Sequence, residues 1–154
     1  MRIAIVHWYY RRSSPSGENS IVHGQVDALR GRGHDVLLVG RHSPDHTGGM
    51  AKIQTGVRVA WRRGSDPTDA LVAFRPDVVH VHNLFPYFSY QWLERWSGPL
   101  IATLHNYRPL CANATLFRDG RECLDCLHNR WGGLRHRCYQ DSMAATAPIA
   151  WRSR

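Results

Sequence analysis

Lysine is almost absent from this chain of 154 residues, since Lys52 is the only one, although the formal net charge is +8. The positive charge is therefore almost entirely arginine, which forms flat, two-pronged contacts with phosphate and carboxylate groups. This balance favours an anionic partner, although codon bias also enriches arginine without any partner. The charge alone does not choose between a nucleotide, a nucleic acid, a phosphorylated lipid and an anionic membrane surface.

Long apolar segments are also missing. The N-terminal apolar run, Ile3 to Val6, has four residues, which is too short for a signal-peptide core. No segment reaches the roughly 18 apolar residues of a membrane-spanning helix. We therefore expect a cytoplasmic protein, with peripheral contact at a membrane as a second alternative. In a reducing compartment, cysteines are typically thiols or metal ligands and not disulfides.

The glycine motifs of several common enzyme sites do not occur. The sequence has no GxGxxG, no GxxxxGK[ST] and no GxSxG, so it predicts no nicotinamide or flavin cofactor and no P-loop. A single glycine, in "SGEN", opens the first predicted helix. Backbone N–H groups at Gly17 and Glu18 could meet a phosphate or carboxylate there, or Gly17 could simply form a turn.

Short apolar segments alternate with helical patterns along the chain. Strands are predicted at 3–6, 35–40 and 57–61, and in two later segments that end at His82 and His105. Helices are predicted after Gly17, over about 66–74, and over 86–96, and Pro148 is expected to bend or end the last helical segment. Buried strands that alternate with helices predict one α/β domain over residues 1–154, a Rossmann-like parallel sheet with helices on both faces.

Three of the predicted strands end on histidine, in "RIAIVH", "DVVHVH" and "LIATLH". Parallel strands meet at one edge of the sheet, where α/β proteins bind their ligands. Imidazole exchanges protons near neutral pH, and asparagine fixes hydroxyl groups. Each histidine could merely cap its strand, but three at equivalent positions favour a site, whereas His80 is expected to be a satisfied interior group. The predicted pocket contains His7, His82, His105, Asn83, Asn106 and Gly17.

Several segments in this order resemble the N-terminal half of a family 4 glycosyltransferase with a GT-B fold. They are "MRIAIVHWYY", "PSGENSIVHGQVDALRGRGHDVLLVG", "PDVVHVHN", "IATLHNYRPLC", "GRECLDC" and "RHRCY". The resemblance covers nearly the whole chain. Its most specific part is the block "LHNYR" followed by the cysteine pattern.

This resemblance implies a retaining transferase that moves a sugar from a nucleotide-sugar donor to a sugar or anionic acceptor held by this half. It implies that His105 is catalytic and contacts the transferred sugar near the reacting carbon. It also implies that Gly17 and Glu18 approach the donor phosphate or the acceptor, and that His82 and Asn83 form the pocket wall. The donor-binding second half does not follow in this sequence. We therefore expect a fragment, a truncated product or one subunit of a split enzyme, inactive alone.

Four cysteines follow the pattern C-x11-C-x2-C-x11-C within a cysteine-rich excursion over 107–140. A C-x2-C pair binds one zinc ion from a tight turn, and two flanking cysteines complete a tetrahedral site. We predict a structural zinc, with His128 and His136 as substitute ligands. The alternative is reduced thiols or a disulfide between the outer cysteines. The four predicted ligands are Cys111, Cys123, Cys126 and Cys138.

Two other functions fit parts of the sequence. The cysteine segment superficially resembles a zinc-containing nucleic-acid-binding module, but the arginines are scattered, which argues against nucleic acid as the partner. The second is a non-catalytic partner subunit of a split transferase. Its contact surfaces would be the aromatic segment "FPYFSYQW" and the terminal "MAATAPIAW", at another protein or at a membrane surface.

Overall fold

The computed structural model describes residues 1–10, 16–43 and 48–152. Two compact units make up the chain: unit 1 contains Met1–Met50 and Arg63–His105, and unit 2 contains Ala51–Arg62 and Asn106–Arg154. In chain order the elements are β1 (Arg2–Tyr9), α1 (Gly17–Gly31), β2 (Asp35–His42), α2 (Gly49–Ala60), α3 (Thr68–Phe74), β3 (Val78–Val81), α4 (Gln91–Arg95), β4 (Leu100–Ala102), β5 (Phe117–Arg118), β6 (Arg121–Glu122), α5 (Asp125–His128), α6 (Gly132–Arg135) and α7 (Met143–Arg152).

A four-stranded parallel sheet with the order β2-β1-β3-β4 forms the frame of unit 1. The strand β1 has a neighbour on each side, and it is buried from Ile3 to Tyr9. A central strand that is covered on both faces has to be apolar along its length, which is why "RIAIVHWY" occupies this position. The structure confirms the predicted α/β architecture with a parallel sheet.

Alternate residues of β1 pack on opposite faces of the sheet. The even-numbered residues Ala4, Val6 and Trp8 pack with side chains of α3 and α4. The odd-numbered apolar residues Ile3, Ile5 and Tyr9 pack with α1. This alternation follows from strand geometry. Because side chains on each face of β1 pack with helices, helices cover both faces of the sheet, as predicted.

The predicted third strand, residues 57–61, is wrong, because this segment lies mainly in α2. Apolar alternation over five residues fits a helix as well as a strand. The preceding "MAKIQ" consists mostly of good helix formers, so the helix begins at Gly49 and extends to Ala60. Residues 49–56, between the predicted second and third strands, are also helical.

The predicted helix over 86–96 is also largely wrong, because only Gln91–Arg95 is helical. The preceding backbone pairs with Ser65 instead: the Ser65 N–H donates to the Tyr87 carbonyl at 2.7 Å, and the Ser89 N–H donates to the Ser65 carbonyl at 2.9 Å. This pairing requires glycine at position 64, because a Cβ there would lie 2.1 Å from the Tyr87 carbonyl oxygen.

Aromatic residues of the same segment belong to the core. Phe88 and Trp92 are only 2% and 1% exposed, and they pack with β1 and β3. Burial of large aromatic side chains is a major source of folding free energy. These two side chains therefore do not form the external contact surface that the sequence suggested for "FPYFSYQW".

Short elements build unit 2. The hairpin of β5 and β6 turns at Asp119 and Gly120, which both have positive φ, 53° and 77°, as Asp-Gly turns favour. Helix α7 continues through Pro148 to Arg152, so the prediction that this proline ends the helix is wrong. Proline removes one backbone donor, and burial of Thr146, Ile149 and Ala150 holds α7 in place.

Among the described residues, no helix combines the length and apolar character needed to span a bilayer. The helix α1, with 15 residues, is the longest of them, whereas a spanning helix needs about 20.

Candidate functional site

Polar side chains gather on one face of the sheet in unit 1, near the carboxyl ends of its strands. The register places Ile5 opposite His80 and His80 opposite Ile101. Side chains two residues further along each strand therefore also share one face, and α1 covers that face. The polar residues on it are His7, His80, His82, Thr103 and His105.

The strand ends differ slightly from those predicted. β1 continues two residues beyond His7 to Tyr9, and β4 ends at Ala102, three residues before His105. β3 ends at Val81, so His82 follows it directly. The rings still converge: His82 lies 2.9 Å from His105 between ring nitrogens, and its ring centroid is 6.0 Å from that of His7.

Hydrogen bonds connect four of these side chains through one glutamine of α1. His105 Nε2 lies 2.9 Å from His82 Nδ1, and His82 Nε2 lies 2.8 Å from Gln25 Oε1. On the other side, Gln25 Nε2 lies 3.0 Å from His80 Nδ1, and His80 Nε2 lies 2.8 Å from Thr103 Oγ1. Two of the three predicted strand-end histidines, His82 and His105, belong to this chain of bonds, as does His80, predicted as a satisfied interior group.

The amide of Gln25 sets the direction of the chain. Its Nε2 only donates and its Oε1 only accepts, so His80 Nδ1 accepts and the His82 Nε2–H donates. A neutral His82 then accepts at Nδ1 the hydrogen bond that the His105 Nε2–H donates. This leaves Nδ1 of His105 without a hydrogen bond within the described part of the chain.

His7 lies inside unit 1 and not in an open pocket. Its ring is 0% exposed. The His7 Nε2–H donates to Asn19 Oδ1 at 3.1 Å, and its Nδ1 accepts from the Asn83 backbone N–H at 3.4 Å. In the described residues the buried ring holds Asn19 and the backbone of Asn83, and the place of His7 among the substrate-binding residues stays a prediction.

Burial sets the protonation of these rings, because a buried imidazolium loses its hydration. Burial lowers the pKa of His7 to about 4, an effect that its hydrogen bond to Asn19 offsets only in part. Burial, followed by repulsion from His80, His105 and His7, lowers the pKa of His82 to about 3. Burial also lowers the pKa of His80, with a further contribution from His105. His7, His80 and His82 are therefore neutral at pH 7, as the bond directions require.

Asn83 and Glu18 lie together at the rim of this histidine cluster. Asn83 Nδ2 donates to Glu18 Oε2 at 3.1 Å and to the Tyr10 hydroxyl at 3.4 Å. Its Oδ1 accepts from the Phe85 N–H at 3.0 Å. Gly17 precedes Glu18 as the first residue of α1, and a Cβ on it would meet no atom of the described residues within 4 Å. Two rim residues named from the sequence, Asn83 and Glu18, thus contact each other near the first residue of α1.

The remaining predicted pocket residue, Asn106, belongs to unit 2. Its Oδ1 accepts a hydrogen bond from the Arg108 N–H at 3.0 Å. The place of Asn106 in the pocket stays a prediction.

Sequence reasoning missed Asn19 and Gln25, which hold the histidine rings. Both lie on the face of α1 that packs on the sheet, with Val22 and Val26. Polar residues at helical spacing within an apolar stripe were the available signal. They indicate polar partners on the sheet opposite the helix.

The four cysteines of unit 2 are free thiols, and all four line one cavity of about 90 Å³. The Asp125 carboxylate on the cavity wall lies 3.2 Å from the Arg118 guanidinium and 3.4 Å from the His136 imidazole. Among the residues that the structure describes, no three or more Cys, His, Asp or Glu side chains are arranged as a formed metal centre. The chemistry of the cavity is nevertheless dominated by sulfur.

The thiols of this cavity are electrostatically unequal. Burial raises the pKa of the Cys111 thiol, but bonds from backbone N–H groups outweigh that effect and leave its pKa below the usual value. Burial raises the pKa of Cys138, and the nearby sulfurs of Cys126 and Cys111 raise it further.

Comparison with known protein families agrees with this architecture. A family model described as Glycosyltransferase Family 4 matches residues 15–147. The match begins just before α1 and ends within α7, so it includes His80, His82, His105 and all four cysteines, whereas His7 lies before it. No curated protein sequence matches the chain. The extent of the family match, over a parallel α/β sheet with the motif order described above, shows that the chain belongs to glycosyltransferase family 4.

Proposed function

We propose that this chain is the acceptor-side part of a retaining glycosyltransferase that uses a nucleotide-sugar donor. A separate donor-binding domain would hold the nucleotide and its diphosphate. Membership of glycosyltransferase family 4 supports the transferase activity. The polar face of the sheet in unit 1 supports placing the reaction near the carboxyl ends of its strands.

The observation that carries the proposal is the environment of the His105 ring, its exposure, its stacking and its hydrogen bond. Its ring is partly exposed, stacks on His82 with centroids 5.2 Å apart and donates its Nε2–H to His82. This bond fixes the ring and directs the second nitrogen away from its buried neighbour. A fixed imidazole with one unbonded nitrogen is suited to accept a hydrogen bond from a substrate hydroxyl, or to donate one when protonated.

The proposed reaction joins the acceptor hydroxyl to the anomeric carbon of the donor sugar. The bond from that carbon to the diphosphate oxygen breaks, and the proton of the hydroxyl passes to the departing diphosphate. His105 orients the transferred sugar next to the reacting carbon through Nδ1. Orientation of this kind lowers the barrier because the bound geometry already resembles the reacting one.

Neutral histidines behind His105 keep its ring orientation constant. Burial keeps the pKa of His82 at about 3, so His82 accepts the bond from His105 throughout the physiological pH range. Gln25 in turn keeps His82 in the required tautomer. We assign His82, Gln25 and His80 as positioning residues and His105 as the catalytic residue.

The rim of Glu18 and Asn83 supplies acceptors for hydroxyl groups of the acceptor molecule. Asn83 holds the Glu18 carboxylate by a hydrogen bond of 3.1 Å, and carboxylates accept several hydrogen bonds at once. Gly17 is the first residue of the 15-residue helix α1 and has no side chain to block its backbone N–H groups, and negative charge is stabilised at such a helix start.

Transfer from a panel of radiolabelled nucleotide sugars to glycan acceptors tests the proposal. The purified chain alone should give no product, and the chain mixed with a donor-binding domain of the same family should give product. Because developing charge on the diphosphate needs fixed cationic or dipolar groups, robust transfer by the chain alone would contradict the assignment of donor binding to a separate domain. Failure of every mixture that contains a functional donor domain would contradict the transferase assignment itself.

A further inference from the structure

We propose that unit 2 holds one structural zinc ion on the thiolates of Cys111, Cys123, Cys126 and Cys138. This inference does not rest on the proposed transferase function. It rests on the convergence of four separate chain segments on one sulfur-lined cavity.

The four sulfurs come from four different local structures. Cys111 ends a turn in which its N–H donates to the Tyr107 carbonyl at 2.8 Å, and Cys123 follows the β5–β6 hairpin directly. Cys126 lies in α5, and Cys138 follows α6, where its N–H donates to the Gly133 carbonyl at 3.0 Å. All four line the same cavity, although up to 27 positions separate them in sequence.

The cavity has room for an ion. Its volume of about 90 Å³ exceeds the roughly 10–15 Å³ that a single water requires. The sulfurs do not yet form a closed ligand set in the described residues, and zinc requires Zn–S distances of about 2.3 Å. Rotation of a cysteine about χ1 between staggered positions moves its sulfur by roughly 3 Å, so side-chain rotation within the cavity is one route to closing the ligand set.

Hydrogen-bond donors already face the sulfurs that a metal centre would make anionic. Cys111 receives bonds from the backbone N–H groups of the turn that follows it, residues 113–116. The Arg118 side chain bonds to Cys123. Four thiolates around Zn²⁺ carry a net charge of −2, which needs outer donors of this kind. Isolated neutral thiols, which are weak acceptors, do not need them.

Close packing also keeps the cysteines together. A Cβ on Gly133 would lie 2.6 Å from the Ala112 Cβ and 3.3 Å from the Cys126 sulfur. The backbone of α6 can therefore lie against both cysteine-bearing segments only because position 133 is glycine. The short elements of this region, β5, β6, α5 and α6, have two or four residues each, and a metal crosslink would fix them relative to one another.

The zinc content of protein purified without chelators and without metal-affinity columns tests the proposal. We expect about one zinc per chain, released together with free thiols by a mercurial reagent. Cys123→Ser should lose the zinc, whereas His128→Gln, at an exposed residue of α5, should retain it. Binding converts four thiols to thiolates, so zinc added to the reduced apoprotein should release protons.

Cobalt substitution keeps the test independent of how well Cys123→Ser folds. Cobalt added to the metal-free wild-type protein should give the visible absorption of a tetrahedral thiolate centre, and zinc should abolish it. A Cys111–Cys138 disulfide in the protein as purified, detected as a decrease in intact mass relative to the reduced protein, would overturn the proposal. So would four freely titrating thiols in a folded, metal-free protein, or loss of zinc in His128→Gln with retention in Cys123→Ser.

Discussion

Acidification should destabilise unit 1 through its two most deeply buried histidines. His7 and His82 are 0% and 7% exposed, and burial lowers their pKa values from 6.5 to about 4 and about 3. Below pH 6.5 the unfolded chain binds a proton at each position, whereas the folded chain does not. Stability is therefore complete above pH 6.5 and decreases as the pH falls towards the folded-state values.

The expected loss follows from proton linkage. Each such histidine costs about 1.4 kcal/mol of unfolding free energy per pH unit once the unfolded state is protonated. Between pH 7 and pH 5 the loss is about 2 kcal/mol for each histidine and about 4 kcal/mol for the pair. Small domains have a total unfolding free energy of about 5–15 kcal/mol, so this effect should be large in urea unfolding followed by circular dichroism.

Variants separate this effect from other groups that titrate in acid, including the thiolates of the proposed zinc site. His82→Gln removes one titrating ring, so its loss of stability between pH 7 and pH 5 should be about 2 kcal/mol smaller than that of the wild type. His42→Gln, at an exposed residue of β2, should keep the wild-type loss. Equal losses in the wild type and His82→Gln would refute the reasoning.

Three further changes test individual contacts. Gly64→Ala should cost more than about 2 kcal/mol in urea unfolding because its Cβ would lie 2.1 Å from the Tyr87 carbonyl oxygen; an unchanged midpoint would contradict that approach. Gly24→Ala, in α1 with no atom within 4 Å of its Cβ, should stabilise by about 0.5–1 kcal/mol, and destabilisation would be the contrary result. Gln25→Glu should raise the pKa of His82 because a carboxylate stabilises the imidazolium, and an NMR titration of the ring protons that shows no rise would exclude the bond between them.

The parallel α/β architecture and the convergence of histidines were predictable because they follow from strongly patterned segments. The buried run of β1 and the helical spacing of α1 are each strong over many residues. The bonds of Asn19 and Gln25 were not predictable in the same way, because they depend on which face of α1 meets the sheet. The strand predicted at 57–61 failed because five alternating residues do not decide between a helix and a strand.

The burial of individual histidine rings also could not be predicted from the sequence pattern. His7 stands at a strand end in the same pattern as His82 and His105, but β1 continues to Tyr9 and α1 closes over the ring. The burial of the His7 ring results from the tertiary packing of α1. The zinc prediction stays open for a related reason: spacing identifies candidate ligands, whereas ligand geometry depends on folded loops.

The central claim is that His105 is the catalytic residue of a sugar-transfer reaction. The most direct measurement compares the transfer rates of His105→Ala and His42→Ala with the wild type, each with the same donor-binding domain supplied. Loss of the fixed imidazole misplaces the transferred sugar, and a misplacement of about 1 Å costs about 100-fold in rate. His105→Ala should therefore lose about 100-fold in kcat, and His42→Ala should stay within about twofold. Equal rates for the two variants would contradict the claim.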